Sequence, residues 1–450
     1  MLRKIQKLEP YIPIQDIHGV FQNETDTVFL DSSLQNKLGR YSIIGLYPYL
    51  KLVKGEAFTV NGKPSDVTFE QFMRNYLREN REENTTGLPI ISGAIGYFSY
   101  DYGRKKEGVK AKDPMETDIP DCILNFYDVF IIEDHEKKEV TLAANGKLKD
   151  SSIRLEELKK SIFNGIRIER ATGEKKAIEV IPNFQKEEYL KAIDDMIRYI
   201  IEGDIYIANM TQRLTIKSGK SPYEVFRKLR GNNPAPFGGY LNYGDFQVIC
   251  ASPERFLQMK KGYVETRPIK GTRKRGSTPE EDRMLKEELA ASEKDKSELL
   301  MIVDLERNDL NRVCRHGSVQ VTELFTVEEY ATVFHLVSNI TGDLKPGMTV
   351  MDLIEAAFPG GSITGAPKLR AMEIIDELEH GRRGLYTGSI GYLTLDGDCD
   401  FNIVIRTAVH KDGVYHLGVG GGITYESELE FEYEETLQKA KAVLEALETV

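Results

Sequence analysis

A lysine held at a corner is the residue of this chain whose surroundings first suggest chemistry. In Glu265-Thr266-Arg267-Pro268-Ile269-Lys270-Gly271-Thr272-Arg273, Pro268 fixes its own φ and biases Arg267 towards extended backbone, while Gly271 permits a sharp turn. Lys270 is thereby set at a defined position. An amine attacks as a nucleophile only without its proton, which near neutral pH requires an apolar pocket or neighbouring cations; Arg267, Arg273, Lys274 and Arg275 are the candidates for the latter. The plain alternative is a solvated lysine in a basic loop.

Two acidic pairs come next. Asp295 and Glu298 are three residues apart on a segment with helical periodicity, and Glu432 and Glu435 repeat the spacing near the C-terminus, with Lys439 four residues further along the same face. Facing each other, two such pairs offer hard oxygen ligands to a divalent cation such as Mg²⁺; apart, they are solvated helix faces. The run Gly418-Val419-Gly420-Gly421-Gly422 ends a strand and exposes backbone N–H groups suited to an anion. The hairpin signal Asp412-Gly413 sets Arg406 opposite Val419, beside those glycines, as either a bidentate carboxylate clamp or a salt-bridged sheet arginine. Gly360 to Lys368 is glycine-rich but lacks the Gly-Lys-Ser/Thr ending of a nucleotide-phosphate loop. His335 sits in the apolar run Val333-Phe334-His335-Leu336-Val337, where a satisfied core histidine is the ordinary reading. None of the four cysteines lies in a Gly-x-Cys-x-Gly elbow, so any ammonia taken from glutamine has to come from another chain.

The elements that must position these residues belong to a globular chain. With 450 residues, 40% of them hydrophobic, it can fill two or three domain cores. A net charge of −11 argues against nucleic acid or an anionic membrane as the main partner and leaves room for a local basic pocket. Widely spaced cysteines suggest neither zinc nor a disulfide framework, and the N-terminus has no apolar signal core; a cytoplasmic protein with no membrane partner is expected.

Strand-like segments with turn signals run from Thr27 to about Val60, at Ile90–Tyr100, and around Ile123 to Ile132 and Glu139 to Ala143, with helices predicted over Phe69–Asn84 and from Ser151 to about Ile168. Ala171 to Asn183 is polar and ends near Pro182, the best domain boundary. Beyond it a helix is predicted over Gln185–Glu202, stopped by Gly203, then a strand from Ile205 to Ile216. Pro279 to Arg307 reads mainly as helix, and Phe401 to His410 alternates as one strand. The irregular alternation and hairpin turns predict an α+β fold with largely antiparallel sheets packed face to face and helices outside.

Taken together, Gly203-Asp204-Ile205-Tyr206, Ser252-Pro253-Glu254-Arg255-Phe256, Ile302 to Asp309, Thr364-Gly365-Ala366-Pro367-Lys368 and the glycine run resemble the chorismate-utilising enzymes. That family comprises anthranilate synthase component I, aminodeoxychorismate synthase component I, and the isochorismate and salicylate synthases. The resemblance is strongest from about Ile181 onwards, with weaker N-terminal matches at Gly39-Arg40-Tyr41-Ser42 and Gly93-Ala94-Ile95-Gly96-Tyr97. It implies an N-terminal domain of the anthranilate synthase component I type over 1–170 and a chorismate-binding catalytic domain over 184–450.

The resemblance also implies roles. Glu298 and Glu435 become Mg²⁺ ligands, with Asp295 and Glu432 behind them. Arg406, Tyr386, Lys439 and the amides of Gly420, Gly421 and Gly422 clamp chorismate; Gly271, Thr272 and Ser362 line the pocket; and His335 sits beside the ring. Glu254 becomes the general acid for the departing C4 hydroxyl. Anthranilate synthases are similar in having Pro-Ile-Ala-Gly-Thr where this chain has Pro-Ile-Lys-Gly-Thr, the aminodeoxychorismate synthase pattern, in which the lysine attacks ring C2 and ammonia then enters at C4. Ammonia from a glutamine amidotransferase subunit is the implied second substrate. Water-using members have a basic lysine where this chain has Ile207. Phe29-Leu30-Asp31-Ser32 resembles the family's tryptophan-pocket motif with Asp in place of Glu; Ser32 would form one wall and Pro236, Phe237 and Gly238 the other.

Overall fold

The computed structural model describes residues 2–165, 177–330 and 333–448. Its architecture grows from its two longest strands, Tyr41–Lys54 and Cys122–Asp134, which pair antiparallel from Tyr41 opposite Asp134 to Lys54 opposite Cys122. Cys122–Asp134 is buried at every position because Ile123, Leu124, Phe126, Val129, Phe130, Ile131 and Ile132 give it apolar side chains on both faces. Its first half is flanked by strand Gly93–Phe98 and its second by Glu139–Ala144, so one long ribbon feeds two sheets.

The first sheet runs from Tyr41–Lys54 through Thr27–Asp31, Phe237–Asn242, Phe246–Ser252, Thr407–Lys411 and Val414–Ile423 to Ile207–Lys217. The second runs from Gly93–Phe98 through Ser389–Thr394, Cys399–Asn402, Arg255–Lys260 and Tyr263–Thr266 to Val333–Asp343, which also pairs with Ile269–Lys274 and Gln320–Glu329. All these pairings are antiparallel. Ile95, Tyr97 and Ile390 of the second sheet meet Leu241, Val248 and Val409 of the first in a common core, each such side chain contributing roughly 1.5–3 kcal/mol of burial. Helices Ile14–Phe21, Ser151–Gly165, Pro222–Asn232 and Leu429–Glu448 cover the outside of the first sheet, and Phe69–Glu79, Glu293–Val313 and Val350–Ala357 that of the second. This is the α+β arrangement expected, with antiparallel sheets face to face and helices outside.

Several local expectations need correction. Phe401 to His410 is not one strand: Cys399–Asn402 belongs to the second sheet and Thr407–Lys411 to the first, and the chain crosses between them at 403–406, where Arg406 takes φ +49°. Apolar alternation persists through the crossing because both sheets bury the same inner face. The segment 279–307 is two helices, Pro279–Ala291 and Glu293–Val313, parted at Ser292, whose side chain accepts the Asp295 amide. Gly203 stops its helix in the left-handed conformation at φ +87°, as expected. The proposed boundary at Ala171–Asn183 lies partly outside the described residues; its end is the strand Glu179–Pro182, paired with Ile207–Lys217. Pairings of Thr27–Asp31 with Phe237–Asn242 and of Gly93–Phe98 with Ser389–Thr394 join the two segments on either side of it. Among the described residues no helix is long and apolar enough to cross a membrane.

Candidate active site

A cavity of about 660 Å³ opens where the two sheets exchange strands. The chain leaves the first sheet at Ser252 and enters the second at Arg255, so Pro253-Glu254 is one crossing and 403–406 the other. The crossings are tied together: the Ile403 amide donates to the Glu254 carbonyl at 3.0 Å, and the Ser252 hydroxyl donates to the Ile403 carbonyl at 2.5 Å. Glu254 and Arg406, far apart in sequence, therefore line the same cavity.

Lys270 reaches the cavity from the second sheet. Gly271, at φ +75°, makes a bulge that sets Lys270 opposite Leu336 and Thr272 opposite His335, breaking simple alternation. The Lys270 Nζ lies 3.0 Å from where a Cβ on Gly422 would stand, so the amine spans from one sheet to the glycine run of the other. Three of the four basic neighbours expected to act on it, the arginines, are otherwise engaged. Arg267 is held by Glu323 and Glu328 at 2.6 Å each, Arg273 by Glu288 at 2.8 Å and Asp295 at 3.1 Å, and Arg275 by Asp282 at 2.5 Å. The groups whose charge bears on Lys270 are acids, Glu254 and Glu298.

Glu254 is buried, and its burial raises its carboxyl above the usual range against the opposing pull of the Ser362 hydrogen bond and the Lys270 charge. Ser362 donates to its Oε1 at 2.8 Å, a more specific task than lining the pocket. His335 is buried and pulled down to about 4 by desolvation and then by Arg406; its Nδ1 is 2.9 Å from the Thr272 hydroxyl. It stands in the cavity wall as a neutral imidazole.

The four acids come from two helices, Glu293–Val313 and Leu429–Glu448, and all line the cavity. Asp295 packs against the Gly271 turn and is bound by Arg273. Glu432 accepts from Ser427 at 2.7 Å and has Lys294 at 4.0 Å; Glu435 accepts from Lys439 at 2.8 Å. Glu298 makes neither hydrogen bond nor ion pair among the described residues. Burial, together with repulsion between carboxylates, raises Glu298 and Glu432. A Cβ on Gly421 would lie 2.8 Å from Glu435 Oε2 and 3.1 Å from Glu432 Oε2, so the missing side chain is what lets both carboxylates approach the strand. Among the described residues no three His, Cys, Asp or Glu converge tightly enough to enclose a metal by themselves. The donors are all carboxylate oxygens, a set that suits a hard cation completing its shell with water and ligand oxygens.

The opposite wall is made for an anion. Arg406 has no carboxylate partner among the described residues, and burial holds it below the usual guanidinium value. The expected hairpin register holds, Ala408 opposite Leu417, but pairing ends before Arg406, whose positive φ turns it into the cavity. Gly420–Gly422 are paired on one edge with Asn209–Thr211, so alternate amides, rather than all three, remain for a ligand. Gly420 also gives its carbonyl to Lys439 at 2.9 Å. Tyr386 packs flat on Gly418, where a Cβ would stand 2.2 Å from the ring. Lys368 is not an anion ligand: it binds Asp309 at 2.6 Å and the Ala357 carbonyl at 3.0 Å. Asn209, Lys294 and Phe431 also line the cavity and were not singled out; Lys294, adjoining Asp295 on its helix, had a signal that could have found it.

Ser32, Pro236, Phe237 and Gly238 meet in a second cavity of about 420 Å³, between Thr27–Asp31 and the crossing region. The Ser32 hydroxyl lies 2.8 Å from the carbonyls of both Tyr41 and Pro236, and the neighbouring Asp31 is bound by Arg230 at 2.7 Å.

Residues 30–445 match the family described as chorismate binding enzyme, and the chain belongs to that family. More particularly, it is 37% identical over 446 residues to aminodeoxychorismate synthase component 1 of Bacillus subtilis (strain 168), covering 97% of this chain and 94% of the relative. It is 36% identical over 466 residues to anthranilate synthase component 1 of Acetivibrio thermocellus, covering 98% and 94%. Anthranilate synthase component I from Streptococcus pneumoniae TIGR4 superimposes with a TM-score of 0.81 at 32% identity, over 91% of this chain and 93% of that one. The protein is a chorismate-utilising enzyme.

Proposed function

We propose that the chain aminates chorismate at ring C4 to give 4-amino-4-deoxychorismate, a precursor of para-aminobenzoate and folate, with ammonia supplied by a glutamine amidotransferase subunit. The observation that carries this reading is Lys270 extending into the cavity beside Glu254. The scheme uses the Glu254 carboxyl as the proton donor, and burial raises that carboxyl in the required direction. Nζ bonds to ring C2 as the C4–O bond breaks, and Glu254 gives its proton to the hydroxyl, which departs as water. Ammonia then bonds to C4, the C2–N bond breaks with the ring double bonds shifting back, and the surplus proton returns to Glu254. Chorismate plus ammonia gives aminodeoxychorismate plus water. Arg406 and the open amides of the glycine run orient the substrate carboxylates.

Glu298 and Glu435, with Asp295 and Glu432 behind them, are the residues that would hold Mg²⁺. When bound, the ion supplies charge neutralisation for the ring carboxylate. Ser32, Pro236, Phe237 and Gly238 form a cavity of a size suited to tryptophan, as binder or as filler. The name component 1 carried by the relatives supports an amidotransferase partner.

The competing reading is anthranilate synthase component I, supported by comparable identity to the Acetivibrio relative and by the Streptococcus structure. Mass analysis of the product from chorismate, Mg²⁺ and an ammonium salt separates the two. A product retaining the enolpyruvyl group with amine for hydroxyl supports the proposal, and fluorescent anthranilate as the main product overturns it.

A further inference from the structure

Beneath the catalytic acid lies a second buried carboxyl, Glu306, which the reaction above does not use. It belongs to helix Glu293–Val313 but faces inward, where with Phe256, Asp309 and Gly361 it lines a space of only about 10 Å³. That space admits one water at most, too few to hydrate a carboxylate. Its bonding is more telling. The Thr266 hydroxyl stands 2.8 Å from the Phe256 carbonyl and 2.8 Å from Glu306 Oε2. A carbonyl only accepts, and a hydroxyl has a single proton; once that proton goes to Phe256, the contact with Glu306 is a hydrogen bond only if Glu306 donates. Glu306 also touches the turn that carries Ser362: a Cβ on Gly361 would lie 3.4 Å from its Cγ, and the next residue donates to Glu254.

We propose that Glu306 is a positioning residue that works as a neutral carboxylic acid, donating to Thr266 and seating the Gly360–Ser362 turn so that the Ser362 hydroxyl is aimed at Glu254. The inference rests on Glu254 being the general acid. The charged and titratable groups facing Glu306 are Glu254 at the sheet crossing, Asp309 on its own helix and Lys368 on the helix that follows the turn. Lys368 is bonded to Asp309 at 2.6 Å and only partly offsets a charge on Glu306. Burial, reinforced by Glu254 and Asp309, pushes Glu306 up to about 8. It is neutral below that pH; above it, ionisation removes the donated bond and loosens the turn.

Glu306→Gln retains a donor to Thr266 and cannot ionise. It is expected to keep kcat for chorismate within about threefold at pH 7 and to lose the alkaline fall in kcat that the unaltered enzyme shows, whereas Glu306→Leu lowers kcat at least tenfold with KM little changed. An alkaline limb unchanged in Glu306→Gln overturns the proposal. A second measurement uses no substrate. The infrared band of un-ionised carboxyl groups at pH 7 is expected to lose one group's contribution in Glu306→Gln, and a band unchanged between the two proteins overturns the proposal whatever reaction the enzyme performs. The infrared signal survives if only the assignment of the product fails.

Discussion

The two cavities differ less in size than in how their charges are spent. In the smaller, Arg255 makes a bidentate pair with Asp400 at 3.0 Å on each arm and a further bond to Glu265 at 3.3 Å, and Asp31 is bound by Arg230. These two arginines are matched by carboxylates within the same region. In the larger, Arg406 and Glu298 have no partner among the described residues, and Glu254, Glu298 and Glu432 are all raised by burial. Unspent charge kept out of water is a poor way to stabilise a fold and a good way to hold an anion and a cation. The contrast assigns chemistry to one cavity and, to the other, holding the fold together.

The largest expected effect comes from breaking the reactive pair. Lys270→Ala and Glu254→Gln should each lower formation of 4-amino-4-deoxychorismate at least about 100-fold, with the melting temperature barely changed; amination at C4 unaltered in Lys270→Ala removes the nucleophile from the scheme. Next, Arg406→Ala should raise KM for chorismate roughly 10- to 100-fold, whereas a fall confined to kcat would place the clamp elsewhere. Glu298→Gln should raise the Mg²⁺ concentration for half-maximal rate about tenfold or more, read by metal titration at saturating chorismate. In the smaller cavity the sign is reversed: Arg255→Leu should leave the half-buried Asp400 with Gln258 in place of the arginine pair and cost roughly 1–3 kcal/mol in denaturant unfolding, with kcat of the surviving folded protein little changed.

A smaller, pH-dependent effect sharpens the same contrast. His335 has a folded value near 4 against about 6.5 unfolded, so the unfolded chain binds its proton first as pH falls. The neutral imidazole's contribution is complete above pH 6.5 and is lost between 6.5 and 4, up to about 3 kcal/mol. The difference in unfolding free energy between the unaltered protein and His335→Asn, followed across that range, measures it; a flat difference removes the burial argument.

Much of the larger cavity was legible because its residues are punctuated locally. Pro268 and Gly271 bracket Lys270, the three-residue spacing marks Asp295/Glu298 and Glu432/Glu435, and glycines flag the strand beside Arg406. The sheet crossings were not legible. Phe401 to His410 keeps its apolar alternation through the break, and only the position of Thr407 against Cys250 in the other sheet shows that a break exists. The neutralisation of Arg267 and Arg273 was hidden for a similar reason: Glu323 and Glu328 lie more than fifty residues away in sequence and meet Arg267 only through the pairing of Ile269–Lys274 and Gln320–Glu329 with the same strand. Glu306 looked like one more acid on a charged helix; its inward aim is set by Thr266 on another strand.

The exchange of strands at Glu254 and Arg406 means that the cavity's functional groups are held by two different layers of the molecule at once. Lys270 rides on one layer and the glycines proposed to orient the substrate on the other, so a tilt of a few tenths of an ångström between layers would misalign the amine with a ring held by those glycines. The filling that sets this alignment is remote: trimming Ile95 or Val248 to alanine shifts the layers from well outside the pocket. Turnover in this enzyme is thereby tied to how tightly its middle is filled.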